Sequence, residues 1–269
     1  MGFRLGRGGR TILHHLYRRV PLIVQQALYF DERLPDMPCV YILSSGGPTV
    51  EGDRLSVRVE LEQEAMAHIS TGAATLITSM ERGSAVQRQS ITLHKGSYLE
   101  WLPRPIIPAA RSRYHSLSEI VAAPSASLFW SEVVACGRLH SGERFDYDLL
   151  DLGTTVYGTD GELILCERTI LEPARLSPGD YALLGPFTHF SSVIILTPKE
   201  ATDRLYNTLW PQTEEPLQIS ISRLNESRGL VVRGAAMGSE PLLRLSRELC
   251  SMVRREVKGV GLAEEFPWR

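Results

Sequence analysis

Alternation of apolar and polar residues with period two runs through most of this chain. Ser56-Val57-Arg58-Val59-Glu60-Leu61 has it, as a half-buried strand should, and Gln89-Ser90-Ile91-Thr92-Leu93-His94 repeats it. Lys95-Gly96 then turns the chain into Tyr98-Leu99-Glu100-Trp101-Leu102. Thr155-Val156-Tyr157 and Glu162-Leu163-Ile164-Leu165-Cys166 flank Gly158-Thr159-Asp160-Gly161, which predicts a hairpin because Asp-Gly supplies the positive φ of a tight turn. From Gly2 to about Pro186, glycine and proline punctuate such runs at short intervals. That spacing predicts a mostly β, multi-layered sheet body rather than βαβ units.

Two segments change period. Thr197-Pro198-Lys199-Glu200 reads as a capping box with proline at the first helical position. Ala201, Leu205 and Leu209 then share one face, and Pro211 marks a stop. A second helix is predicted from Ser239-Glu240-Pro241, with Leu242, Leu245, Leu249, Met252, Val253 and Val257 as its apolar stripe and Gly259 as its end. Between the helices, Leu217–Ile221 and Gly229–Arg233 read as a strand pair, and the tail 264–269 as extended chain. No long linker interrupts the pattern. The expectation is one domain over residues 1–269, with a β-rich body at 1–196 and a helix–strand pair–helix segment at 197–260.

Charge and composition narrow the function classes. With 29 basic and 31 acidic residues the net charge is −2, which gives no electrostatic case for nucleic acid or an anionic membrane surface. The longest apolar runs, such as Ser191 to Leu196, are too short to span a bilayer. The first ten residues are basic but lack the apolar stretch of a signal peptide, so a cytoplasmic location is expected. Cys39, Cys136, Cys166 and Cys250 are scattered, with no metal-binding spacing, and read as reduced, mostly buried thiols.

The standard nucleophile, zinc-protease, P-loop and dinucleotide motifs are absent. Gly6-Arg7-Gly8-Gly9 precedes no helix, and His14-His15 point to opposite faces of a strand. The candidate chemistry lies in carboxylates inside or beside apolar strand text: Asp53, Glu100, Glu132, Glu143 and Glu167. Such groups are costly out of water unless paired or facing a wet cavity. Each could simply be ion-paired, with Arg54, Arg138, Arg144 or Arg168 as partner. Converging on an internal passage, they would instead suit a weakly held divalent cation.

A set of short segments in fixed order adds a family. Pro21-Leu22-Ile23-Val24-Gln25, Val40-Tyr41-Ile42-Leu43 and Gly46-Gly47-Pro48-Thr49-Val50-Glu51-Gly52-Asp53-Arg54-Leu55 come first. Leu99-Glu100-Trp101-Leu102-Pro103, Gly137-Arg138 and Gly142-Glu143-Arg144-Phe145 follow. Together they resemble the UreD (UreH) family of urease accessory proteins. The resemblance implies a non-enzymatic maturation factor that binds apo-urease on one side and a UreF–UreG assembly on the other, UreG being the GTPase. It implies no tightly bound cofactor, only Ni²⁺ in transit through an acidic interior. The positions carried over are Asp53, Glu132 and Glu167, with Thr75 as a tunnel-lining residue after Ala73-Ala74 and Glu143 from the Gly-Glu segment. The chain departs from the family pattern at Val40, at Glu51 before Gly52, at Leu76-Ile77-Thr78-Ser79 and at Pro103–Pro108. Two other readings stand beside this one: a β-rich protein-binding module without a metal role, and a hydrolase using a buried pair such as Asp53 and Glu132.

Overall fold

A computed structural model describes residues 1–180, 183–209 and 217–263. The chain opens with β1 (Gly2–Leu5), β2 (Thr11–His15), β3 (Leu22–Val24), β4 (Cys39–Ser44), β5 (Arg54–Leu61) and β6 (Met66–Thr71). β7 (Thr75–Ile77), β8 (Ala85–Leu93), β9 (Tyr98–Leu102), β10 (Ile106–Pro108), β11 (Arg113–Ala122) and β12 (Ser127–Ala135) continue it. β13 (Leu149–Gly158), β14 (Leu163–Leu171) and β15 (His189–Leu196) precede α1 (Lys199–Thr208). β16 (Leu217–Arg223), β17 (Gly229–Ala236) and α2 (Ser239–Lys258) follow. The architecture is mostly β with two helices late in the chain, as the periodicity predicts.

The strands form two sheets. One has seven strands in the order β14-β13-β11-β8-β5-β1-β2. The other has ten, with a main path β16-β17-β15-β12-β9-β6-β4-β3 and with β7 and β10 attached beside β12. From β4 to β13 the chain crosses from one sheet to the other again and again, so neighbours within each sheet run parallel. The Lys95-Gly96 turn is one of these crossings, carrying β8 of the seven-stranded sheet into β9 of the ten-stranded one. β13 and β14 form the expected antiparallel hairpin, where Gly161 takes φ +86° and Asp160 Oδ1 accepts the Glu162 N–H at 3.1 Å. β16 and β17 pair antiparallel, also as expected.

Inward residues of the two sheets meet in an apolar core that includes Val59, Leu61, Ile91 and Ile120 from one and Val40, Ile69, Leu128 and Trp130 from the other. The helices cover the opposite face of the ten-stranded sheet, where Leu205, Leu245, Leu249 and Val253 pack on Phe129, Val193, Ile195 and Val232. Each such buried side chain contributes about 1.5–3 kcal/mol. The stripe read for α2 is its buried face, with Met252 and Val257 at its half-buried margin, and Gly259 ends the helix at φ +76°. In α1 the buried face is likewise Ala201 and Leu205, with Leu209 just beyond.

The capping box is not formed. Pro198 occupies the N-cap, where it has no side-chain acceptor, and Thr197 Oγ1 bonds instead to Thr202 Oγ1 at 2.8 Å. Thr197 is held as the continuation of β15, one residue too early to turn its hydroxyl onto the helix amides. Pro211 and the tail 264–269 lie outside the described residues. Three cysteines are buried and Cys166 is exposed. No helix among the described residues is long and apolar enough to cross a membrane.

Candidate functional site: two cavities that meet at Glu132

The run Phe129-Trp130-Ser131-Glu132-Val133-Val134 forms the middle of β12. Period two points Phe129 and Ser131 toward the helices, where Ser131 Oγ meets Ser246 Oγ of α2 at 2.9 Å. Trp130, Glu132 and Val134 therefore face the seven-stranded sheet. Trp130 joins the main core and stacks on Trp101, ring centroids 4.9 Å apart, while Val134 joins a second apolar cluster with Tyr114 and Leu152. Glu132 is the polar residue between them.

Two cavities lie between the sheets. The first, of about 530 Å³, opens beside β14 and β16 and is lined by Glu132, Glu167, Ser192, Arg233, Trp130 and Phe190, among others. The second, of about 420 Å³, lies toward β4 and β5, and its lining includes Asp53, Thr75, Trp101, Tyr114 and Glu132. Among the described residues, Glu132 alone lines both. Among the described residues no cation or hydrogen-bond donor meets its carboxylate. Burial, and then the nearby charge of Glu167, push Glu132 up to about 7. The same carboxylate, after burial, raises Tyr114.

Glu167 on β14 reaches across to the ten-stranded sheet. It accepts Ser192 Oγ at 3.1 Å and the Arg233 guanidinium at 3.0 Å. In that sheet Glu132, Ser192, Arg233 and Ser220 stand side by side on β12, β15, β17 and β16, so both carboxylates address one register row. Asp53 sits at the rim of the second cavity, where its Oδ2 accepts the Val50 N–H at 3.0 Å and closes a tight loop. Glu51, which departs from the family pattern, pins that loop by accepting the backbone N–H groups of Glu81 at 2.7 Å and Arg82 at 3.2 Å. Thr75 lines the same cavity from the start of β7, its N–H bonded to the Pro105 carbonyl at 2.9 Å.

The structure thus brings Asp53, Thr75, Glu132 and Glu167 onto two cavities with one common wall. Glu143 is elsewhere. It lines neither cavity, pairs with Arg138 and accepts the Ala110 N–H at 2.9 Å, and the Arg138 bond holds its carboxyl below the usual range. Glu100 is also elsewhere, on the helix side of the sheet. Burial alone would raise its pKa, but Arg254 of α2, with two bonds of 2.6 Å, and His68 at 2.8 Å hold it lowered. Arg254 also binds Asp31. The arginines that pair with Glu100 and Glu167 are thus Arg254 and Arg233, remote in sequence, while Arg138 pairs with Glu143 and Arg168 turns outward to Asp151.

Among the described residues no three His, Cys, Asp or Glu side chains come together as a ready metal site. Single carboxylates with water and neutral oxygens between them can bind a divalent cation only weakly. Sequence reading missed Gln87, Gln89 and Ser116, which also line the second cavity. The signal was present in β8, where inward positions that should be apolar carry two glutamines.

Comparison with known proteins bears on the whole chain. The family model described as UreD urease accessory protein matches residues 2–269. The chain is 41% identical over 272 residues to the Urease accessory protein UreD 2 of Brucella suis, covering 98% of this chain and 90% of that one. It is 38% identical to the Urease accessory protein UreD of Photorhabdus laumondii, covering 99% and 85%. Against the Urease accessory protein UreD 3 of Methylorubrum populi the identity is 36%, covering 100% and 88%. Similarity of this extent takes in both sheets, both helices and every wall of the two cavities, and the chain belongs to the UreD family of urease accessory proteins.

Proposed function

We propose that the chain serves urease maturation as a non-enzymatic cytoplasmic scaffold that links apo-urease to UreF and UreG and lets Ni²⁺ pass through its interior. The observation that carries this reading is the sharing of Glu132 by two cavities, one reaching Asp53 and the other Glu167. A cation entering at either end would meet carboxylates one at a time. Each would replace part of its hydration shell, and none is grouped with enough others to retain it. Directionality would come from GTP hydrolysis on UreG, because this chain carries no phosphate-binding loop of its own.

The test is to co-express the chain with apo-urease, UreF and UreG, recover the assembly on this chain and measure urease activity after nickel supply. Glu132→Leu and Glu167→Leu should each leave the assembly intact and abolish activation. If either variant fails to assemble, its glutamate holds the fold or an interface, and the transit role is lost. A binding module without a metal role is the second reading. It is favoured by the pairing of Glu143 with Arg138 and of Glu167 with Arg233, and it expects both leucine variants to activate urease normally.

A further inference from the structure

Inward positions of a sheet packed face to face on another are ordinarily apolar. Two successive inward rows of the seven-stranded sheet break that rule. One carries Gln87, Ser116 and Thr169 on β8, β11 and β14, with Leu152 of β13 between the last two. The next carries Gln89, Ser118, Thr154 and Glu167 on β8, β11, β13 and β14; on β5 the two rows continue as Leu55 and Val57. The flanking rows are apolar, Ala85–Tyr114–Leu150 on one side and Val59–Ile91–Ile120 on the other. A polar belt, broken at Leu152 in one row, therefore runs from β8 to β14 at right angles to the strands, between two apolar clusters, and stops at β5. Gln89, Ser116, Ser118 and Thr154 are all buried. Polar groups held there cost stability that an apolar row would not, which asks for a reason other than folding.

The belt also runs from one cavity to the other. Gln87, Gln89 and Ser116 line the second cavity, Thr154 and Thr169 line the first, and Ser118 stands in register between Gln89 and Thr154. Glu132 comes from the opposite sheet to the same boundary. The amide oxygens are oriented by neighbours: Ser118 Oγ donates to Gln89 Oε1, and Tyr114 OH donates to Gln87 Oε1 at 3.0 Å. Each amide oxygen keeps a second lone pair.

We infer that this belt is a neutral oxygen track, in which Gln87, Gln89, Ser116, Ser118 and Thr154 carry a divalent cation between the carboxylates Asp53, Glu132 and Glu167. The inference rests on the passage proposed above and names its floor. Neutral oxygens stand in for water on a hard or borderline cation without adding the charge that would trap it. Carboxylates placed at every step would repel one another and retain the ion.

The experiment titrates a nickel salt in cells that produce the urease, UreF, UreG and this chain, and reads the nickel concentration for half-maximal urease activation. Gln89→Leu is one atom shorter than the native side chain and offers no oxygen, while Gln89→Asn has the shape of the leucine variant and restores one. It should assemble and melt like the native protein yet require roughly tenfold more nickel, the scale of one lost interaction of about 1.4 kcal/mol. Gln89→Asn should recover much of the shift. A uniform loss at every nickel concentration would mark a packing role and overturn the track. A native response from Gln89→Leu beside an inactive Glu132→Leu would overturn the track and leave the passage standing, whereas native responses from both would end both. If Gln89→Leu melts early, Thr154→Val, close in volume, carries the same expectations.

Discussion

At the scale of single residues, Glu132 is a carboxyl drawn away from water with no cation beside it among the described residues. Its carboxyl is raised from 4.5 to about 7, and the sign of the effect on stability follows from that direction. Between the unfolded and folded pKa values the native state holds a proton that the unfolded state has released, so stability falls as pH rises through that window. Above about pH 7 both states are ionised and the full cost is present, on the order of 3 kcal/mol before cavity water is allowed for. Glu132→Gln removes the charge and keeps the shape. Denaturant melts should therefore find this variant more stable than the native protein by roughly 1–3 kcal/mol at pH 8, with the gap closing as pH approaches the ordinary glutamate range. A gap that stayed constant with pH would mean that Glu132 ionises as freely folded as unfolded. Asp53 makes a useful contrast: its carboxylate already accepts a backbone N–H at the cavity rim, so a local loop accounts for part of its presence.

At the scale of elements, α2 is attached to the ten-stranded sheet by two different means. Its apolar stripe packs on the sheet, and Arg254 adds a buried ionic link to Glu100 on β9 and Asp31 in the loop before β4. Arg254→Met would keep much of the volume and leave two carboxylates without their cation. The expected cost is about 3–5 kcal/mol in a denaturant melt, because an uncompensated buried charge is worse than no charge. Arg254→Met with Glu100→Gln together should recover part of it. The α2 stripe was readable because helical spacing is a local property, and so was the Asp160-Gly161 hairpin. The ion pair was not, since Arg254 and Glu100 lie 154 positions apart. Parallel pairing was also hidden: β8 alternates identically whether its neighbours run with it or against it. The polar rows escaped for the same reason. Gln89 is informative only once the register sets it beside Ser118, and Ser118 beside Thr154.

At the scale of the whole molecule, the carboxylates of the family pattern fall into two populations. Asp53, Glu132 and Glu167 lie along the interior between the sheets, one at each end and one where the cavities meet. Glu143 lies outside both cavities, tied to Arg138 across a turn and to the Ala110 amide. If cation passage follows the interior, these two populations must respond differently to loss of charge. Glu143→Gln removes one partner of a partly exposed pair that solvent screens, and should leave nickel-dependent urease activation within roughly twofold of the native level. The neutral change at Glu132 removes the one carboxylate that, among the described residues, is common to both cavities, and should reduce activation far more, although the same variant gains stability at pH 8. Opposite movement of stability and activation in one protein is hard to obtain from a structural defect, so that pairing separates passage from folding. A Glu143→Gln variant that assembled normally but failed to activate urease would extend the route beyond the two cavities, toward the turn that carries Arg138.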